Sequence, residues 1–85
     1  LVVGAGVVGL LAAYLLARVP GVELTVCDVD PARRAIAEGL GARFAAPDAA
    51  PQGCDLAIHA SASEAGLRLA LSSLGFEGRV IEASW

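Results

Sequence analysis

The chain has 85 residues, a formal net charge of −3, a pI near 4.8, 56% hydrophobic residues and no methionine. That length allows one domain or less, and an acidic balance without a Lys/Arg cluster argues against a nucleic-acid partner. The hydrophobic share exceeds the about 45 to 50% of an ordinary soluble domain, so some of the surface should be covered in the parent protein.

Leu1 to Val3 reads as an apolar strand entering Gly4-Ala5-Gly6-Val7-Val8-Gly9, a G-x-G-x-x-G turn. Each glycine has a separate task in a phosphate-binding turn. Gly4 permits the tight turn, Gly6 lets backbone approach a pyrophosphate, and Gly9 lets helix and strand pack closely. The helix that follows aims its unpaired N–H groups, Val7 and Val8 among them, at the anion. Three fixed positions are weak evidence alone, and context gives them weight. A run of helix formers, Leu10 to Arg18, comes next, then a β-branched strand, Val22 to Cys27, and then Asp28. Asp28 lies 19 positions after Gly9, close to the roughly 20 at which an acidic residue grips the adenosine ribose.

Residues 1–17 carry no charge, which raises a membrane or signal-peptide reading. The run falls short of the ~18 residues of a spanning helix, no basic segment precedes it, and its glycines have their own explanation. We expect no membrane partner. From Val7 to Val19 apolar residues occupy nearly every face, which predicts a helix buried on more than one side and ended by Pro20-Gly21.

Asp30-Pro31 is a helix start, with Asp as N-cap and Pro at the first helical position. Ala32, Ile36 and Leu40 then recur on one face, Arg34 and Glu38 can pair, and Gly41 fits the position after the helix. Ala42 to Ala46 reads as a short strand and residues 47–53 as a loop too short for a crossover helix. Cys54 to Ala60 is a buried strand. Ser61-Ala62-Ser63-Glu64 has capping-box spacing and opens a third helix with Leu67, Leu71 and Leu74 on one face. Gly75 and Gly78 bracket a turn into a last strand, Arg79 to Ala83. The order β-α-β-α-β-β-α-β predicts an α/β, Rossmann-like doubly wound parallel sheet with strand order 3-2-1-4-5. Such a sheet has about six strands, so the start at Leu1 and the five strands lead us to expect the central part of a longer cofactor domain. The sixth strand should follow it. Cys27 and Cys54 lack C-x-x-C spacing and should be free thiols, which fits a reducing cytoplasm.

The chain resembles, over essentially its whole length, the cofactor-binding half of the medium-chain, alcohol-dehydrogenase-like oxidoreductases. The resemblance is carried by Gly4-Ala5-Gly6-Val7-Val8-Gly9, by Asp28 with Arg33 five residues on, by Leu40-Gly41-Ala42, and by a Pro47-Asp48 loop leading to Cys54-Asp55. It implies that Asp28 holds the ribose hydroxyls of NAD with Arg33 beside the same sugar. It also implies that Ala60-Ser61 and Glu82-Ala83 border the adenosine and nicotinamide sides, largely through backbone. The catalytic zinc ligands and substrate pocket of zinc-type members would lie in a separate domain, so the small-molecule substrate is bound outside this chain. This segment alone should therefore bind cofactor without turnover. Two features depart from the family: His59 stands where many members carry an acidic residue, and Glu82-Ala83-Ser84-Trp85 is an unusual continuation of the last strand. His59, Cys27 and Cys54 have no metal-ligand spacing. An FAD domain is the alternative within enzymes, since the same glycine run opens many flavin oxidoreductases. A regular helix after Asp30 argues against it. A non-catalytic nucleotide sensor is the alternative from another class. The apolar surface suggests a homo-oligomer.

Overall fold

A computed structural model describes residues 1–84. Five parallel strands form one sheet, β1 (Val2–Val3), β2 (Thr25–Cys27), β3 (Arg43–Ala45), β4 (Cys54–His59) and β5 (Leu74–Glu82), in the order β3-β2-β1-β4-β5. Three helices connect them, α1 (Val7–Leu16), α2 (Arg34–Gly39) and α3 (Glu64–Ser72). The fold is the expected α/β, Rossmann-like arrangement. Between β3 and β4 the chain makes only a 3₁₀ turn, Pro47–Ala49, as the missing crossover helix in the sequence requires.

β1 is short and central, with Val2 beside Val26 and Ile58 and Val3 beside Cys27 and His59. Alternation sends Val2, Val26 and Ile58 into a core with Ala13 and Ala37, and Val3, Cys27 and Ala57 into a second one with Ala70. β-branched side chains fill the first layer from the sheet, while Val3, Cys27 and Ala57 fill the second, and the helices complete both with small residues. α1 buries Gly9 and Ala13, α2 buries Ala37, and α3 buries Gly66 and Ala70.

This changes three expectations. α1 is not covered on several sides, since Val7, Leu11 and Leu15 are exposed. In α2 the inward residue is Ala37 while Ile36 faces out, a rotation of one residue from the face inferred from Ala32, Ile36 and Leu40. In α3 Leu71 is exposed, and Leu74 belongs to β5. The common cause is close helix–sheet approach, which admits Gly and Ala and expels larger side chains from the contact line.

Asp30 caps as expected, accepting the Ala32 amide at 2.9 Å, but what it caps is a 3₁₀ turn, Pro31–Arg33, that runs into α2. Arg34 and Glu38 meet at 3.5 Å on the exposed side. The expected turn at Gly75 and Gly78 is a bulge inside β5. Leu74 pairs with Cys54, and the next match is Arg79 with Leu56, so β5 has three extra residues there. Trp85 lies outside the described residues.

Cys27 and Cys54 are free. Cys27 ends β2 and Cys54 starts β4, with β1 between them. Two strand spacings of about 4.8 Å already exceed the ~7 Å Cα limit for a disulfide. Burial, with Asp28 and Asp48 adding to it, pushes the Cys27 thiol up to about 11. In native protein at pH 8 a thiol reagent should modify Cys54 first and leave Cys27 almost untouched; in denaturant without reductant both should react. Asp30→Ala should cost about 1 kcal/mol in urea unfolding, the usual effect of a lost cap.

Candidate functional site

At the C-terminal edge of the sheet, β1 turns into α1 through the glycine run. Gly4 has φ +108° and packs against the end of β4, where a Cβ would lie 2.7 Å from Ala60 and Ser61 backbone. Gly9 is tighter, since a Cβ there would lie 1.7 Å from the Gly4 carbonyl oxygen. A Cβ on Gly6 would meet nothing within 4 Å. Gly4 and Gly9 are thus glycines for packing, whereas the space at Gly6 belongs to the outside. Gly6 is the N-cap of α1 and supplies no side-chain cap. The first bond into the helix runs from Leu10 N to Gly6 O at 2.9 Å, so the amides of Val7, Val8 and Gly9 have no partner one turn back.

The turn opens on a cleft of about 750 Å³. Gly4, Gly6, Asp28, Ala60 and Ser61 of the expected set line it, over a floor that includes Val3 and Cys27. Val7, Val8 and Gly9 form the helix turn beside it. Arg33, Glu82 and Ala83 are not among its lining residues: Arg33 Nε lies 3.9 Å from Asp30, and Ala83 packs against the core.

Asp28 does more than the sequence indicated. One carboxylate oxygen accepts the Ala5 amide at 2.7 Å and the other the Asp30 amide at 2.8 Å. It therefore ties the end of β2 to the glycine turn. A carboxylate offers about four lone-pair sites, and two remain for a ligand.

The other wall comes from the start of α3 and was missed. Ser63 and Gly66 both line the cleft. Ser63, not Ser61, is the N-cap, accepting the Gly66 amide at 3.0 Å. A Cβ on Gly66 would fall 1.9 Å from Ser61 Oγ, so glycine there lets the helix meet the strand end. A lone Gly inside a helical pattern was the available signal.

His59 is buried, as expected of a packed strand residue, and both ring nitrogens are engaged. Nδ1 lies 2.9 and 2.8 Å from the two Glu82 carboxylate oxygens, and Nε2 lies 2.8 Å from Ser61 Oγ. Glu82 also accepts the Ser84 amide at 2.8 Å, and Ser84 Oγ accepts the Ala62 amide at 2.9 Å. These bonds staple the β4 end to the β5 end. The hydrogen bond from His59, then that from the Ser84 amide, hold the Glu82 carboxyl below its ordinary range. Among the described residues no three His, Cys, Asp or Glu side chains are grouped to hold a metal ion. No helix there is long and apolar enough to cross a membrane.

No family model matches the chain, and no curated protein matches it. Solved structures do. The 2R,3R-butanediol dehydrogenase of Bacillus subtilis superposes with a TM-score of 0.87 at 25% identity, covering 99% of this chain and 27% of its own. The alcohol dehydrogenase TADH of Thermus sp. ATN1 gives a TM-score of 0.87 at 28% identity, covering 99% and 28%. A chain from Sinorhizobium meliloti 1021 assigned as a zinc-binding dehydrogenase and bound to NADP shares the fold, with a TM-score of 0.81 at 24% identity over 95% and 28%. The chain thus spans little more than a quarter of these dehydrogenases.

Gly9→Ala should destabilise the protein by about 3 kcal/mol or prevent folding, because the contact is with backbone that cannot turn aside. Gly6→Ala should change urea stability by less than about 1 kcal/mol. The folded Glu82 carboxyl titrates below its unfolded value of about 4.3. Its contribution is therefore full above that value and lost as pH falls through the lower folded one. The stability gap between wild type and Glu82→Gln, measured by urea unfolding, should be open at pH 7 and narrow below about pH 4.

Proposed function

We propose that the chain is the NAD(H)-binding segment of an alcohol-dehydrogenase-like oxidoreductase that transfers a hydride between the nicotinamide cofactor and a small alcohol or carbonyl substrate. The observation that carries this reading is the open position at Gly6, above the helix amides and in one cleft with the Asp28 carboxylate. A pyrophosphate needs backbone approach without a Cβ, and a ribose diol needs an acceptor. The similarity to the butanediol and alcohol dehydrogenases supports it. So does the capped turn and helix after Asp30, which favours a nicotinamide over a flavin dinucleotide.

The Val7, Val8 and Gly9 amides would face the pyrophosphate. The free lone pairs of Asp28 would accept the ribose hydroxyls, with Arg33 beside the same sugar. Ala60, Ser61, Glu82 and Ala83 would border the remainder, chiefly through backbone. The bound cofactor supplies the hydride chemistry. Substrate, and zinc where the enzyme uses it, we assign to residues beyond this chain. The apolar stripe of Val7, Leu11 and Leu15 we assign to a partner subunit, and the free thiols to a cytoplasmic setting.

A 2′-phosphate at Asp28 would meet a carboxylate and forfeit charge-assisted hydrogen bonds of about 1.5 to 3 kcal/mol each. Calorimetric titration should therefore show NAD bound roughly 30- to 1000-fold more tightly than NADP, toward the lower end if Arg33 turns to the phosphate. Asp28→Asn keeps one acceptor for the Ala5 amide and removes the charge, so it should weaken NAD and close the gap by about tenfold or more. Gly6→Ala should lower affinity for both cofactors without unfolding the protein. Equal wild-type affinity for NAD and NADP, or full NAD affinity in Gly6→Ala, would refute the assignment.

A further inference from the structure

Ala62, in the loop between β4 and α3, has φ +56°, in the left-handed region, and is exposed. A Cβ there crowds the following carbonyl, so a residue other than glycine enters that region at a cost. With its side chain in solvent, Ala62 is not pressed into this shape by packing. The bonds that hold it come from the end of β5. The Ala62 amide donates to Ser84 Oγ at 2.9 Å, and Ser84 Oγ itself donates to the His59 carbonyl at 3.3 Å, which leaves its lone pairs for that amide. Ser84 is fixed in turn through its own amide, which donates to Glu82 at 2.8 Å. The neighbouring Ser61 is tethered to the same strand end, through His59 Nε2 at 2.8 Å and the pairing of His59 with Glu82.

The strained residue sits in the middle of a cleft wall. On one side Ala60 and Ser61 backbone abuts Gly4, where a Cβ would lie 2.7 Å away; on the other the Ser61 and Ser63 hydroxyls abut Gly66, where a Cβ would lie 1.9 and 2.9 Å away. All five residues line the cleft. The loop is therefore wedged between the glycine turn and the start of α3, and a rotation of the Ala62 backbone would shift the wall against both. We propose that Ser84, fixed by Glu82, is a positioning residue for the cleft: it clamps the β4–α3 loop in the strained shape that receives the cofactor, and without it Ala62 relaxes and the wall moves. The proposal rests on the reading of the cleft as a nucleotide site. It makes the segment that follows β5 part of that site, although Ser84 itself does not line the cleft.

Left-handed strain at one residue is worth a factor of about 5 to 30 in an equilibrium, which cofactor binding must supply once the clamp is gone. In calorimetric titration Ser84→Ala should bind NAD about fivefold or more weakly than wild type, while Ser84→Thr, which keeps the hydroxyl, should stay within about twofold of it. Adding Ala62→Gly to Ser84→Ala should recover most of the loss, since glycine takes a positive φ without crowding. A residue that only stabilised the fold would show no such recovery. The clamp also predicts that Ala62→Gly raises the urea midpoint of wild type, by relieving strain, and does not raise that of Ser84→Ala, where the loop has already relaxed. Full NAD affinity in Ser84→Ala, no recovery on adding Ala62→Gly, or the same midpoint change in both backgrounds overturns the proposal. Wild type that binds no NAD overturns the nucleotide reading instead, and the urea comparison then decides the clamp by itself.

Discussion

The close contact between Gly9 and the Gly4 carbonyl sets the geometry of everything at the top of the sheet. Because no Cβ fits there, α1 can start immediately above β1 and aim its first amides over the strand end. A larger residue would push the helix away and open the turn. The central strand is only two residues long, so it holds its place through neighbours on both sides and through this contact rather than through its own length. Packing at that one point thus becomes an electrostatic property of the cleft, the positive end of a helix held beside a glycine with empty space in front of it.

Asp28 adds the second constraint. Its two amide bonds, to Ala5 and Asp30, mean that it supports the glycine turn as well as facing the cleft. A carboxylate whose position is fixed by backbone donors pays less entropy when a ligand binds, which is the usual advantage of a preorganised site. The same reasoning applies across the cleft, where the staple from Glu82 through His59 to Ser61 fixes hydroxyls that would otherwise rotate freely. Both walls are therefore held by residues on neighbouring strands, and the parallel register that puts Val3 beside Cys27 and His59 makes this possible.

The outside of α1 carries the opposite message. Val7, Leu11 and Leu15 are exposed because the sheet accepts only the Gly9 and Ala13 side of that helix. An apolar stripe of this kind is unusual on an isolated soluble surface. It agrees with a hydrophobic content above that of an ordinary domain.

The sequence alone determined the elements that depend on local chemistry. The glycine run, the Asp30-Pro31 cap, the Gly41 stop and the β-branched strands act within a few residues, and with the absence of a crossover helix they were enough for the strand order. The glycine turn and Asp28 were legible because their spacing has a direct geometric meaning. Tertiary structure decided which helix faces turn inward, since a line of Leu or Ile reads as a core face until the separation of helix and sheet is known. It also decided that Ser63 caps α3 and that Gly66 admits Ser61. The pairing of His59 with Glu82 lies 23 residues apart in the chain and arises only from the register of β4 against β5. No local pattern encodes a register, so the most connected part of the cleft wall was the part that the sequence concealed.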